Sequence, residues 1–279
     1  MTNLAVPNTP FVIADCRHGT FCFHPQDMIG RMLVAYGEWA QQEVAFLTRL
    51  LRPGDVALDI GAHIGTLTVP LARAVGPNGV VFAFEAQRLV YHNLCTNLHL
   101  NGLANVHVQN AIVTDTGGCV HLREIPYDGW RNSGGFTIPP EAASPPSGLY
   151  TPKLVLDQHL AHLPRCRLVK MDVEGHEAAA LRGMARLIDR CRPILYLEAN
   201  TAERFARIAE MLNGFDYRTF WHCEPHFNLQ NYRGASSNLY GAATDINLVA
   251  FPTDWADGIP ELVPAEDFAQ VQQFAPPEI

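Results

Sequence analysis

The sequence predicts a doubly wound α/β fold on a mostly parallel sheet, and three observations carry that expectation. Segments that read as strands and helices alternate from residue 55 to residue 251. The strand-like segments are continuous apolar runs, such as Val80-Val81-Phe82-Ala83-Phe84. A run with no polar side is buried on both faces, which requires helices above and below the sheet. Third, the apolar run Ala57-Leu58-Asp59-Ile60 leads into Gly61-Ala62-His63-Ile64-Gly65 and then a helical pattern. That order brings a ligand close to backbone at the carboxyl edge of such a sheet.

The elements follow in order. Residues 11–23 read as a hairpin turning at His18-Gly19. Apolar positions Met28, Leu33, Val34, Val44, Phe46, Leu47 and Leu50 fit helices broken near Gly37. The core then runs as strand 55–61, helix 65–75, strand 79–85, helix 89–100 and strand 106–113. An extra strand is expected at 119–125. From 130 to 152, Gly134-Gly135, Pro139-Pro140 and Pro145-Pro146 break every period, so this stretch reads as an irregular loop, disordered or lid-like near an acceptor. Alternation resumes with strand 168–173, helix 177–188, strand 194–199, helix 202–212 and strands 217–223 and 246–251. The division is a hairpin-and-helix addition over 1–52, a main domain over 53–252 and a tail over 253–279. In the tail, Asp254, Asp257, Glu261, Glu266, Asp267 and Glu278 stand without a Lys or Arg, which reads as a solvated extension.

Composition narrows the partners. Of 279 residues, 48% are hydrophobic and 17% charged, enough apolar material for a full core. A net charge of −8 leaves no surplus of Lys and Arg for a nucleic-acid or acidic-membrane footprint, so neither partner is expected. Seven cysteines lie scattered with no CxxC spacing, which fits a reducing compartment. No basic stretch followed by an apolar run opens the sequence, and no apolar run approaches ~18 residues. The expectation is a cytoplasmic protein, with the oligomeric state left open.

Chemistry concentrates in four places. The glycine loop and Glu85, which ends the next strand where a carboxylate can accept from ribose hydroxyls, point to a nucleoside-containing cofactor. With only Gly61 and Gly65, the loop lacks the GxGxxG of dinucleotide sites, and no GxxxxGK[ST] loop exists. Asp59 would repel a pyrophosphate but favours the ammonium and sulfonium of S-adenosylmethionine. Asp59, Gly61, Ala62, His63, Gly65, Glu85 and Ala86 are therefore expected around that cofactor, with Asn110 and Ala111 near adenine. The third place is Lys170-Met171-Asp172-Val173-Glu174-Gly175, where alternation turns Lys170, Asp172 and Glu174 one way. Asp172 and Glu174 are candidates for a general base or for holding acceptor hydroxyls, and Asp172 also for the cofactor; a Lys170–Asp172 ion pair with Glu174 as helix cap is the alternative. Glu198 can reach the same crevice. These acids could hold a divalent ion, but no ligand spacing supports one and no metal is assigned. Last, residues 221–233 set aromatics beside His222, His226, Asn228 and Asn231, which suits a polyhydroxylated acceptor. His222 is taken as a further catalytic candidate, the other three and Glu198 as acceptor-binding.

The loop from Asp59 to Gly65, Glu85, and the run Leu168-Val169-Lys170-Met171-Asp172-Val173-Glu174-Gly175-His176-Glu177 resemble the FkbM-type class I methyltransferases. Gly37-Glu38-Trp39, Leu156-Asp157 and Arg192-Pro193-Ile194-Leu195-Tyr196-Leu197-Glu198 add to a resemblance that covers roughly residues 30–200. It implies a Rossmann-like seven-stranded sheet with an antiparallel last strand, S-adenosylmethionine as methyl donor, and Glu38 among the cofactor residues. It also implies O-methylation of a sugar, glycan or natural product, although the acceptor does not transfer with the motif. Two other classes stay open. One is a nicotinamide-dependent oxidoreductase on the same sheet, against which Asp59 and the missing third glycine speak. The other is a non-catalytic module that binds the cofactor only.

Overall fold

The computed structural model describes residues 4–5, 9–122, 125–129, 131–135, 150–255 and 262–274. A three-stranded antiparallel unit comes first, β1 (Leu4–Ala5), β2 (Val12–Cys16) and β3 (Gly19–Phe23). Helices α1 (Met28–Tyr36) and α2 (Gln41–Arg49) follow, separated where Gly37 takes the left-handed φ of 67° that ends α1. The core continues as β4 (Val56–Ile60), α3 (Thr68–Val75), β5 (Val80–Glu85), α4 (Arg88–Leu100) and β6 (Val106–Asn110). Strands β7 (Ile112–Val113), β8 (Gly118–His121) and β9 (Tyr150–Leu154) make a small side sheet in the order β7-β9-β8. Then come α5 (Leu156–His159), β10 (Leu168–Met171), α6 (Glu177–Gly183), α7 (Ala185–Cys191), β11 (Ile194–Glu198), α8 (Ala202–Asn213), β12 (Tyr217–Pro225), β13 (Thr244–Pro252) and β14 (Val263–Pro264).

The central sheet has the order β14-β12-β13-β11-β10-β4-β5-β6. Pairing is parallel from β11 through β6, and β13 runs antiparallel to both of its neighbours. Seven strands make the expected mostly parallel sheet, and β14 adds a two-residue eighth at the edge. Successive residues of a strand enter opposite layers. Leu58, Val169 and Leu195 join Leu181, Ile188 and Ile208 of α6, α7 and α8, whereas Ala57, Leu168 and Ile194 join Val44, Leu47 and Leu71 of α2 and α3. Burial on both faces is why these strands read as unbroken apolar runs. The amino-terminal hairpin is sealed to α4 by two buried amides: Asn93 and Asn97 both donate to the Cys22 carbonyl, and Asn97 accepts from Cys22 N. Among the described residues, no helix is long and apolar enough to cross a membrane.

Several elements differ from expectation for local reasons. The strand expected over 106–113 stops at Asn110, whose side-chain amide donates to the carbonyls of Glu85 and Ala86 and turns the chain out of the sheet. The helix expected over 177–188 breaks at Met184, next to Gly183, where a Cβ would lie 1.9 Å from the Thr114 carbonyl oxygen. The expected strand at 119–125 ends at His121, and residues 123–124 lie outside the described residues. Of the expected loop over 130–152, residues 130 and 136–149 lie outside the described residues, residues 131–135 pack against the glycine loop, and β9 takes up its end. The tail corrects the reading of a solvated extension. β14 pairs with Phe220 and Trp221, Phe268, Val271 and Phe274 pack on the core, and Trp221 Nε1 donates to Gln270 Oε1 at 3.0 Å. Its apolar residues are spaced among acids, so the charge count hid the buried side. Residues 256–261 and 275–279 lie outside the described residues.

Candidate active site

The carboxyl ends of β4, β5, β10 and β11 open onto a cavity of about 330 Å³, the size of a small-ligand site. Gly61 begins it. Its φ is 80°, and a Cβ there would lie 1.8 Å from the Asp172 carbonyl oxygen, so only glycine lets β4 and β10 end this close together. Gly61 N and Ala62 N both donate to the Phe84 carbonyl, at 2.9 and 3.0 Å. Beneath the loop, Lys170 Nζ donates to the Gly61 carbonyl at 2.8 Å and lies 3.3 Å from Asp59 Oδ1, while Thr68 donates to Asp59 Oδ2 at 2.6 Å. Burial alone would lower the Lys170 ammonium, but the charges of Asp59, Asp172 and Glu43 outweigh it and the group is raised. The Lys170–Asp172 pair of the alternative reading is thus replaced by Lys170–Asp59. Asp59 does not line the cavity, and its charge serves the lysine instead of a ligand's ammonium.

Glu85 holds the second strand's end. Its Oε2 accepts from His63 N at 2.9 Å and its Oε1 from Gln87 N at 2.8 Å, which leaves one lone-pair direction on each oxygen for a ligand diol. Burial raises this carboxyl to about 7. Ala86, Ala111, Ile112 and Val113 form an apolar wall beside it. Two open acceptor directions, a bare glycine backbone and a flat apolar wall fit the ribose, amino-acid and adenine parts of S-adenosylmethionine. His63 lines the same loop at φ 49°, a strained value for a residue with a Cβ. Its Nε2 meets Ser133 Oγ at 2.8 Å, Ser133 N donates to Asp27 at 2.8 Å and Gln87 Nε2 donates to the Ser133 carbonyl at 2.6 Å, so residues 131–135 are clamped onto the cofactor side. Burial lowers the His63 imidazole to about 4 and keeps it neutral at pH 7.

The opposite end is acidic. Asp172, Glu174 and Glu198 bring carboxylate oxygens within 4.8 Å of one another. Arg204 Nη2 donates to Glu174 Oε2 at 3.0 Å and Nη1 to Glu198 Oε2, so a single guanidinium serves the group and a divalent ion would compete with it. Asp172 is exposed to the cavity, yet the protein around the cavity displaces enough bulk water to raise its carboxyl to about 6. Burial and the neighbouring charges of Asp172 and Glu174 push Glu198 up to about 9 against the pull of Arg204. The turn after β10 is capped by Glu177, which accepts from Val173 N and Gly175 N, and not by Glu174.

The far wall holds residues that sequence reasoning missed. Trp39, Glu43, Asp245 and Asn247 line it together with His226. Asn247 Nδ2 donates to Glu43 Oε1 at 2.7 Å, and His226 Nε2 lies 2.9 Å from Asp245 Oδ1. Burial and the charges of Asp245 and Asp172 hold Glu43 well above the usual carboxylate range. One signal for Asp245 was available. Because β13 is antiparallel, its first residues stand at the edge where the parallel strands end.

The expected site divides accordingly. Gly61, Ala62, His63, Glu85, Ala86, Ala111, Asp172, Glu174, Glu198 and His226 line one cavity, whereas Asp59, Gly65, Asn110, Glu38, His222, Asn228 and Asn231 do not. His222 stacks on Phe46 with centroids 4.2 Å apart and shares a hydrogen bond of 2.9 Å with the Tyr196 hydroxyl, which removes it as a catalytic candidate. Glu38 accepts from Arg17 Nε, Asn228 Nδ2 and Tyr232 N, so it and Asn228 tie the hairpin to the loop after β12. Asn231 is buried and donates to the carbonyls of Asn228 and Ala235 within that loop. Gly65 packs against Leu94, and Asn110 shapes the turn behind Glu85.

Glu85 gives a measurable pH dependence. Its folded-state pKa is raised from 4.5 to about 7, so the ligand-free fold favours the protonated form and loses that advantage as pH rises through 7. Ribose hydroxyls donate to the ionised form. S-adenosylhomocysteine should therefore bind more tightly at pH 8 than at pH 6 and release a proton near pH 6.5, read by calorimetry in two buffers. Glu85→Gln should flatten this dependence, and Glu85→Ala should weaken binding by about 1–3 kcal/mol. A pH-independent affinity in the unaltered protein contradicts the assignment.

Comparison with known proteins gives the family of the chain. The family model described as the methyltransferase FkbM domain matches residues 59–219. The tRNA(Phe) (4-demethylwyosine(37)-C(7)) aminocarboxypropyltransferase of Methanocaldococcus jannaschii is 37% identical over 71 residues, which are 24% of this chain and 28% of that protein. The chain thus spans less than a third of the length of this curated relative. A crystal structure of methyltransferase FkbM from Methylobacillus flagellatus is similar with a TM-score of 0.48 at 16% identity, covering 75% of this chain and 51% of that one. A structure of M. jannaschii TYW2 in complex with AdoMet is similar with a TM-score of 0.44 at 14% identity, covering 89% and 88%. With the family model matched over more than half of its length, the chain belongs to the FkbM family of S-adenosylmethionine-dependent methyltransferases.

Proposed function

We propose that this protein transfers a methyl group from S-adenosylmethionine to a hydroxyl oxygen of a polyhydroxylated small molecule or glycan. The observation that carries this reading is a single cavity that joins the Glu85 and glycine-loop half to an acid-and-aromatic half containing Asp172, Glu198, Trp39 and His226. S-adenosylmethionine supplies an already activated methyl group, so the chain contributes alignment and exclusion of water. Glu85 accepts from the ribose hydroxyls, the wall of Ala86, Ala111, Ile112 and Val113 receives adenine, and the Gly61-Ala62 backbone receives the amino-acid end. Asp172 accepts a hydrogen bond from the acceptor hydroxyl, and Arg204 fixes Glu174 and Glu198 to do the same for neighbouring hydroxyls. Trp39 offers an aromatic face to the C–H side of a sugar.

The acids of this cavity and the net charge of −8 favour a hydroxylated acceptor over a polyanion, although three curated relatives, each matched over about a quarter of this chain, carry tRNA in their names. The test is a panel assay with methyl-labelled S-adenosylmethionine against sugars, glycans, polyol natural products and tRNA. Label on an oxygen of a hydroxylated acceptor supports the reading. Label on tRNA alone, or none on any acceptor, overturns it. S-adenosylhomocysteine should raise Tm in the same preparation while NAD leaves it unchanged, which separates the oxidoreductase alternative.

A further inference from the structure

We propose that Glu43, braced by Asn247, donates a hydrogen bond to an oxygen of the methyl acceptor and so sets which hydroxyl meets the methyl group. The inference rests on the hydroxyl-methylation reading above and supplies what that reading lacks. Ionised Asp172 and Glu174 can only accept, whereas a sugar or polyol also carries oxygens that need a donor. The other donors around the acidic half are turned to the protein. Lys170 Nζ serves the Gly61 carbonyl and Asp59, and Asn200 Nδ2 donates to Glu198 Oε1 at 2.7 Å. The Thr244 hydroxyl donates to the Ala242 carbonyl at 3.1 Å, and His226 Nε2 faces Asp245.

Glu43 stands in the first turn of α2, is only 7% exposed, and lines the cavity with what it exposes. Asn247, buried on β13 opposite Glu198, donates through Nδ2 to Glu43 Oε1 at 2.7 Å. That bond makes Oε1 the accepting oxygen and leaves Oε2 for the cavity. The Tyr196 hydroxyl also approaches Glu43, but His222 Nδ1 occupies it at 2.9 Å. Oε2 is not among the polar atoms sealed from solvent without a partner, so a bound molecule can reach it.

A carboxyl in this setting keeps its proton. Its bracing group is a neutral amide, and Lys170, the cation that acts on it, lies against Asp59 at 3.3 Å. Burial and the charges of Asp245 and Asp172 favour the neutral form. A neutral carboxyl that accepts on one oxygen offers its O–H from the other. Glu198 is the contrast, because both of its oxygens already take donors, from Asn200 and from Arg204. Glu43 and Asp172 thus face one cavity with opposite hydrogen-bonding sense. Asp172 holds the reacting hydroxyl by its proton, and Glu43 holds a neighbouring oxygen by its lone pair. Two such contacts fix the orientation of the acceptor, which a row of carboxylates alone would not.

The experiment has two arms. In the first, the infrared difference spectrum of the ligand-free protein against Glu43→Gln at pH 7 should show the loss of a neutral carboxylic-acid carbonyl band. Loss of a carboxylate band instead overturns the proposal. In the second, variants are assayed with the panel acceptor that takes label. Glu43→Leu should lower kcat/KM for that acceptor by about tenfold or more, with S-adenosylhomocysteine affinity changed by less than about threefold. Glu43→Gln, which keeps the shape and an N–H donor, should restore most of that loss. One single-deoxy analogue of the acceptor should lose about tenfold with the unaltered protein and nothing further with Glu43→Leu. Glu43→Gln as slow as Glu43→Leu, a matching fall in S-adenosylhomocysteine affinity, or losses that multiply for every deoxy analogue overturns the assignment. The first arm needs no acceptor. A panel with no methylated product therefore counts against the proposed reaction, while the infrared band still judges Glu43.

Discussion

Lys170→Met should cost about 3–5 kcal/mol of folding stability, the loss expected when one partner of a buried ion pair is removed. The Lys170 side chain is 7% exposed and that of Asp59 fully buried, with 3.3 Å between the charged atoms. Methionine fills most of the same volume but leaves Asp59, Asp172 and Glu43 without the cation they share. It also leaves the Gly61 carbonyl without its donor, so the cofactor loop should loosen and S-adenosylhomocysteine binding should fall with stability. Asp59→Asn added to Lys170→Met should recover part of the loss, because it removes the buried charge that the lysine had matched. Arg182→Ala is the contrast. It breaks an ion pair with Asp115 whose arginine is 51% exposed, and it should cost no more than about 1 kcal/mol. Urea unfolding of the three variants and the unaltered protein at pH 7 measures all of this. A Lys170→Met loss no larger than that of Arg182→Ala would show that the pair does not hold the loop.

The parts of this architecture legible in the sequence are those in which neighbouring residues carry the whole signal. β4 is buried at every position, so its apolar run announced a strand, and Gly61 announced the close approach that follows it. Glu85 was legible because a strand's end fixes where a carboxylate stands. Asp59 was placed correctly in the chain but misread in role, since nothing local says that Lys170, two strand positions before Asp172, would pass beneath the loop to meet it. His222 was misread for a related reason. Alternation fixes that it and Phe220 share one side of β12, but not that Phe46 of α2 would cover that side. Glu43 had no local signal at all: an acid on an amphipathic helix ordinarily faces water, and only the docking of α2 against the edge of β13 turns it inward to Asn247. Long-range packing decided each case that sequence periodicity missed.

Asp172→Asn should lower methyl transfer by on the order of 10²-fold or more while leaving S-adenosylhomocysteine affinity within about threefold. The amide keeps the shape of the side chain, and the backbone bond from Asp172 N to the Ile60 carbonyl at 3.0 Å does not depend on the carboxylate. What is lost is a charged acceptor for the substrate hydroxyl at the point where the cavity's two halves meet. Stability separates this role from a structural one. Burial raises the Asp172 carboxyl from 3.8 to about 6, so the fold prefers the neutral form and resists the charge that the residue carries above that pH. Asparagine carries no charge at any pH. The variant should therefore melt at the same temperature as the unaltered protein, or slightly higher, at pH 8, and the difference should narrow as pH falls below about 6 and close only near pH 4. A residue that held the fold together through its charge would give the opposite pattern, with Tm falling at pH 8 and transfer per folded molecule unchanged. Glu174→Gln is the companion measurement, because Glu174 is tied to Arg204 and its amide should cost stability as well as rate. If Asp172→Asn turns over normally in its folded fraction, the carboxylate does not meet the acceptor and the orientation of substrate in this cavity has to be reassigned.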